Sequence, residues 1–119
     1  MRSIDSKFIK LAEKIANTSS CKYKHGAVLV RGKEIISIGV NRSIGFDKIL
    51  TQFGFAYTLH AELDVIRKTY SIPSNSTLYV ARKKFKMSKP CDKCLSIINN
   101  TNIVRIVFSN EKEIQEIKI

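Results

Sequence analysis

The sequence is poor in acidic residues, in cysteine and histidine, and in long apolar runs. Aspartate and glutamate together number 10, against 21 lysines and arginines. The longest apolar runs resemble Ala27–Val30 and fall far short of the roughly 20 residues needed to span a bilayer, so no membrane helix is expected. The opening Met1–Lys7 has no apolar stretch behind it and does not read as a signal peptide. A cytoplasmic or nuclear location is the resulting expectation. The three cysteines, Cys21, Cys91 and Cys94, include one close pair and do not form the even set of a secreted disulfide framework. A close Cys-x-x-Cys pair in an intracellular chain points instead to a metal site or a redox pair. No internal repeat and no low-complexity linker interrupts the chain.

What is present is ordinary globular material. The 119 residues are 44% apolar and 26% charged, which excludes a wholly disordered chain and predicts one domain over residues 1–119. The net charge of +11 fits a polyanionic partner or a phosphorylated substrate, although lysine abundance alone also produces it. Local clustering has to decide between the two.

Periodicity supplies the elements. Ile4, Phe8, Leu11, Ala12 and Ile15 recur at helical spacing over 3–17, with Asp5 or Ser6 as the cap. Two Val- and Ile-rich strands, 26–31 and 34–40, flank a turn at Gly32-Lys33. Residues 41–59 show no clear period and read as a long functional loop, with a short helix near 47–53 as the alternative. A helix over 60–70 turns Ala61 and Val65 inward and ends before Pro73. Then come a strand (77–81), a basic loop (82–89), a helix from Pro90 to about Asn100, and a strand (102–109). The tail, 111–119, is read as a short edge strand. The order mixes a hairpin with βαβ crossovers, which predicts an α/β fold of three layers, α/β/α, with a mixed five-stranded sheet between helices.

Two short motifs carry chemistry. His60-Ala61-Glu62 opens one helix and Pro90-Cys91-Asp92-Lys93-Cys94 opens another, each just after irregular chain. Cys91 and Cys94 are three apart and share a helix face. The positive end of a helix favours thiolates. One imidazole and two thiolates suit Zn²⁺, and three protein ligands leave a position open, as in catalytic rather than structural sites. Glu62 stands two residues from His60, where it can exchange protons with an activated water without binding the metal.

The H-x-E…P-C-x-x-C arrangement resembles the cytidine and deoxycytidylate deaminase superfamily. The resemblance extends to Gly26–Val30, Ser37–Asn41 and Thr77–Val80, which look like the family's first three strands. It implies a cytidine deaminase-like fold and hydrolysis of a base's exocyclic amine. His60, Cys91 and Cys94 become zinc ligands and Glu62 the proton shuttle. The Ala61 N–H would hold the base carbonyl, and Asn41 would touch sugar or base. It also implies a homo-oligomer. Three departures bear on the substrate. Ala81–Lys89 is longer than the family's link, Asp64 stands where deoxycytidylate deaminases carry Asn, and His25 replaces a small apolar residue.

Other readings stand beside these. A structural zinc site needs a fourth ligand, for which only His25 and Cys21 remain; Cys21 is expected to be a buried small residue and His25 a half-buried, satisfied histidine. Asn41 also reads as a turn residue. Phe46, Phe53, Phe55 and Tyr57 either wall a base pocket or fill the core. The cations Arg82, Lys83, Lys84, Lys86, Lys89 and Lys93 face a single acid, Asp92, and run into the second metal motif. That position favours contact with a substrate phosphate, with Lys89 as the candidate contact. Only Phe85 interleaves the charges, so no stacking platform for single strands stands out. The expected partner is a small nucleoside or nucleotide such as deoxycytidylate. The alternatives are a deaminase acting on single-stranded nucleic acid held by Arg82–Lys93, and a non-catalytic zinc module.

Overall fold

The computed structural model describes residues 3–45, 57–83, 87–110 and 113–119. Phe46, Phe53 and Phe55, the alternative helix near 47–53, and Lys84, Phe85 and Lys86 lie outside the described residues. The chain runs α1 (Ser3–Ala16), β1 (His25–Arg31), β2 (Glu34–Val40), β3 (Arg42–Gly45), β4 (Tyr57–Leu59), α2 (Ala61–Lys68), β5 (Ser76–Arg82), α3 (Asp92–Ile98), β6 (Ile103–Ser109) and β7 (Ile114–Lys118). No helix among the described residues is long and apolar enough to cross a membrane.

The main sheet has five strands in the order β2-β1-β5-β6-β7. β5 and β6 are parallel and joined through α3; the other neighbouring pairs are antiparallel. The mixed sheet and the edge strand at the tail match the sequence-based expectation. Gly32 makes the tight β1–β2 turn with φ +61°, a region that residues with a Cβ rarely adopt.

Alternation along the strands builds two cores, one per face. Ala27, Leu29, Leu78, Val80 and Ile106 pack with α2 and α3 residues such as Val65, Cys94 and Ile98. Val28, Val30, Tyr79, Ala81 and Val107 pack on the other face against Phe8, Ile9 and Ala12 of α1. Each large side chain fully buried this way contributes about 1.5–3 kcal/mol.

Two glycines bring the helices against the sheet. A Cβ on Gly26 would stand 2.2 Å from the Ala12 carbonyl oxygen, so only glycine lets the end of α1 sit on β1. A Cβ on Gly39 would stand 2.8 Å from the Ala61 oxygen and the Val65 nitrogen. The end of β2 therefore lies directly under the first turn of α2.

Three details differ from the sequence reading. Asp5 does not cap α1; it lies inside the helix, is fully buried, and pairs with Arg105. Part of 41–59 is not loop: β3 and β4 pair as a small antiparallel sheet, and Tyr57 belongs to β4. Finally, α3 begins at Asp92, so Pro90 precedes the helix cap and does not open the helix.

Candidate metal centre and active-site cleft

His60 and Cys91 are the N-cap residues of α2 and α3. Both have extended backbone, and neither side chain makes a capping hydrogen bond. Ser, Thr, Asp or Asn at an N-cap adds about 0.5–2 kcal/mol relative to Ala. Both helices forgo that, and their cap side chains turn toward each other. His60 Nδ1 lies 3.7 Å from Cys91 Sγ and 3.3 Å from Cys94 Sγ. Ligand atoms of His60, Cys91 and Cys94 all lie within 4.8 Å of one another. One nitrogen and two sulfurs at this separation fit a tetrahedral zinc site, with Zn–S of about 2.3 Å and Zn–N of about 2.0–2.1 Å.

The local fold explains the convergence. Gly39 seats α2 and with it His60. Ser88 anchors the approach to Cys91. Its hydroxyl donates to the Val80 carbonyl (2.7 Å), its N–H donates to the Ser109 carbonyl (2.8 Å), and its oxygen accepts the Ser109 N–H (2.8 Å). The segment ahead of the Cys-x-x-Cys pair is thus stitched to the ends of β5 and β6. Asp64 does the same for the cleft's other side. It is buried and accepts from the Val40 N–H (3.1 Å), Arg42 (2.9 Å) and Lys68 (2.9 Å). It therefore ties α2 to the β2–β3 junction where Asn41 sits.

The electrostatics call for a cation. Glu62 is buried at 4% exposure, within hydrogen-bonding reach of Cys94. Burial pushes its carboxyl pKa up. The Cys94 thiol is pushed far up by burial, then by the charges of Glu62 and Cys91. Burial and the Lys93 charge lower the His60 pKa, which keeps the imidazole neutral and able to ligate. Anions held this close to one another are stabilised together by a dication.

Beside the ligands lies a cavity of about 400 Å³, walled by Cys21, Lys22, Tyr23, His25, Asn41, Thr58, His60 and Glu62. Of the residues singled out from sequence, His60, Glu62 and Asn41 meet there. Ala61 is buried and opens α2, so its N–H is among those a helix leaves without an internal partner. Lys89 is exposed and is not among the lining residues. Cys21 is not the buried filler expected: it is partly exposed and faces the cavity. His25 is half-buried, as expected, but also on the cavity wall. Burial and the Arg82 charge lower its pKa.

Asn41 is more than a turn residue. Its side-chain oxygen accepts the His25 N–H (2.9 Å), and its amide nitrogen donates to the Tyr23 carbonyl (2.6 Å). The Ser19 hydroxyl donates to the Asn41 carbonyl (2.8 Å) and accepts the Cys21 N–H (3.1 Å). Asn41 therefore holds the wall formed by 21–25. Sequence reasoning missed that wall, as well as Thr58 and Ser88. The signal available was a polar cluster, Thr18–Lys24, just ahead of an apolar strand.

A His/Cys/Cys donor set with a buried carboxylate beside it on a cavity has the make-up of a zinc-dependent hydrolytic centre. The family model of the cytidine and deoxycytidylate deaminase zinc-binding region matches residues 2–110, and the chain belongs to that family. Among solved structures, the apo dCMP deaminase of cyanophage S-TIM5 superposes with a TM-score of 0.68 at 25% identity, over 95% of this chain and 88% of that one. The same phage enzyme with dCMP and dUMP gives 0.64 at 23% identity, over 89% and 81%. Cytidine deaminase from Burkholderia pseudomallei gives 0.69 at 15% identity, over 99% and 93%, a likeness of fold. No curated protein sequence matches the chain.

Proposed function

We propose that this protein hydrolyses the 4-amino group of a cytosine nucleotide, with deoxycytidylate as the best-matched substrate. The observation that carries the reading is Glu62: a buried carboxylate on the wall of a nucleotide-sized cavity, next to the His60/Cys91/Cys94 donor set. Zinc held by those three residues would supply Lewis-acid polarisation and lower the pKa of coordinated water to about 7.

The chain's own residues then act in order. The Ala61 N–H holds the base carbonyl and Asn41 meets the sugar. Glu62 takes a proton from the attacking water, delivers it to ring N3, and passes the water's second proton to the leaving amine. A C4–O bond forms, the C4–N bond breaks, and ammonia leaves uracil behind. Burial, by raising the proton affinity of Glu62, suits it to hold each proton between steps. The phage relative solved with dCMP and dUMP supports a nucleotide, as does Lys22 on the cavity wall.

The test is turnover of cytidine, deoxycytidine, CMP and dCMP by zinc-loaded protein, followed by loss of absorbance as cytosine becomes uracil. The largest kcat/KM is expected for dCMP. No turnover of any of the four would overturn the reading. It would favour a single-stranded nucleic acid substrate, which the net charge of +11 also suits.

A further inference from the structure

β1 and β5 pair with His25 opposite Arg82, and the Lys83 N–H donates to the Lys24 carbonyl (3.2 Å). Two basic segments far apart in sequence are thereby laid side by side at the cleft. They converge on one ring. Tyr23 is 61% exposed, with Lys22 Nζ 5.4 Å and the Arg82 guanidinium carbon 5.9 Å from its centroid.

Two like charges on one aromatic ring need a reason. Each is attracted to the ring's π electrons by about 0.5–1 kcal/mol at an exposed site, and that attraction leaves the charge unneutralised. Among the described residues no carboxylate is ion-paired with Lys22 or Arg82. The ring's backbone is itself fixed, because the Tyr23 carbonyl accepts from Asn41. Lys22 and Tyr23 line the same cavity as His60 and Glu62.

We infer that Lys22 and Arg82, pre-oriented by Tyr23, form the subsite for the substrate's phosphate; this rests on the nucleotide reading above. Lys22 and Tyr23 share the cavity wall with Glu62, and Arg82 adjoins that wall through the Tyr23 ring. An arginine fork and a lysine point charge together suit a phosphate's several acceptor oxygens. The sequence alone put this contact in Arg82–Lys93. The fold keeps Arg82 and adds Lys22.

The experiment compares dCMP, deoxycytidine and a short single-stranded oligodeoxycytidylate in wild type, K22M, R82M, the double variant and Y23L. Methionine keeps the apolar stem without the charge, and circular dichroism checks that each variant is folded. The dCMP-to-deoxycytidine ratio of kcat/KM is expected to fall about tenfold in each single charge variant and further in the double, mainly through KM for dCMP. Y23L should fall less, because the charges remain and only their orientation is lost. If the oligonucleotide is the better substrate and its turnover drops in the same variants, the clamp stands and its phosphate is a diester. An unchanged ratio in the folded double variant overturns the clamp. If wild type turns over nothing, the nucleotide reading fails, and calorimetric dCMP binding to zinc-loaded protein decides the clamp. Binding about tenfold weaker in the double variant supports it, and equal or absent binding overturns it.

Discussion

On the α1 face of the sheet, Asp5 sits fully buried between Tyr79, whose hydroxyl donates to it at 2.7 Å, and Arg105, which grips both its oxygens. Arg105 also pairs with Glu116 of β7. On the α2/α3 face, His60, Glu62, Cys91 and Cys94 cluster beside an open cavity. Both groups are polar and reach into the core, yet they are built on opposite rules. In the first, the buried acid meets a base that grips both its oxygens. In the second, the anionic forms destabilise one another, so the groups either keep their protons or share a cation. A closed cluster serves the fold, and an open one serves a ligand.

The largest expected effect breaks the open cluster. Glu62→Gln keeps the side chain's shape and removes its ability to carry a proton. Turnover of the best substrate is expected to fall by about 10²–10⁴-fold. Zinc content, measured on the purified protein, should stay at the wild-type level, and the melting temperature should be no lower, because a buried amide costs less than a buried carboxylate. Activity within a few-fold of wild type would show that the proton passes elsewhere.

The next largest breaks the closed cluster. Arg105→Met leaves Asp5 buried without its counter-charge, which costs about 3–5 kcal/mol in stability. For a domain of this size that lowers the melting temperature by more than about 10 °C. Adding Asp5→Leu should recover much of the loss, because an apolar pair has no charge left to desolvate. Zinc content and turnover per folded molecule should hold in both variants. If turnover drops at a temperature where the protein is fully folded, the two faces are coupled through the sheet.

The same contrast explains what could be read from the sequence. The metal ligands were legible because each motif is local: three-residue spacing puts Cys91 and Cys94 on one helical turn, and His60-Ala61-Glu62 opens another. The strands were legible because Val and Ile alternate along them or fill both faces. Asp5 was not, because an acid in the first turn of a helix looks like a cap, and its partner lies 100 residues away. The cleft wall was not legible either. Lys22 and Tyr23 reach the site only through the β1–β5 register and the Asn41 bracket, which no local period encodes. The β3–β4 pair failed for a simpler reason: strands of four and three residues are too short to show alternation.

The smallest effect sharpens the closed cluster. Tyr79→Phe removes one hydroxyl and leaves the Asp5–Arg105 pair in place, so the cost is about 1.5–3 kcal/mol, the range for a hydrogen bond to a charged group. Its pH dependence is more telling than its size. Burial, and then the Asp5 carboxylate, push the Tyr79 pKa from the ordinary 10 up to about 12. A folded-state value above the unfolded one means that the protonated phenol favours folding. This stabilisation is complete below pH 10 and is lost as the pH rises through about 12. Subtracting the Tyr79→Phe stability curve from the wild-type curve cancels the lysines that titrate in the same range. The difference should be constant up to about pH 10 and fall above it. A difference that stays flat through pH 12 would mean that the hydroxyl is not sealed in the cluster, and that this face too is partly open.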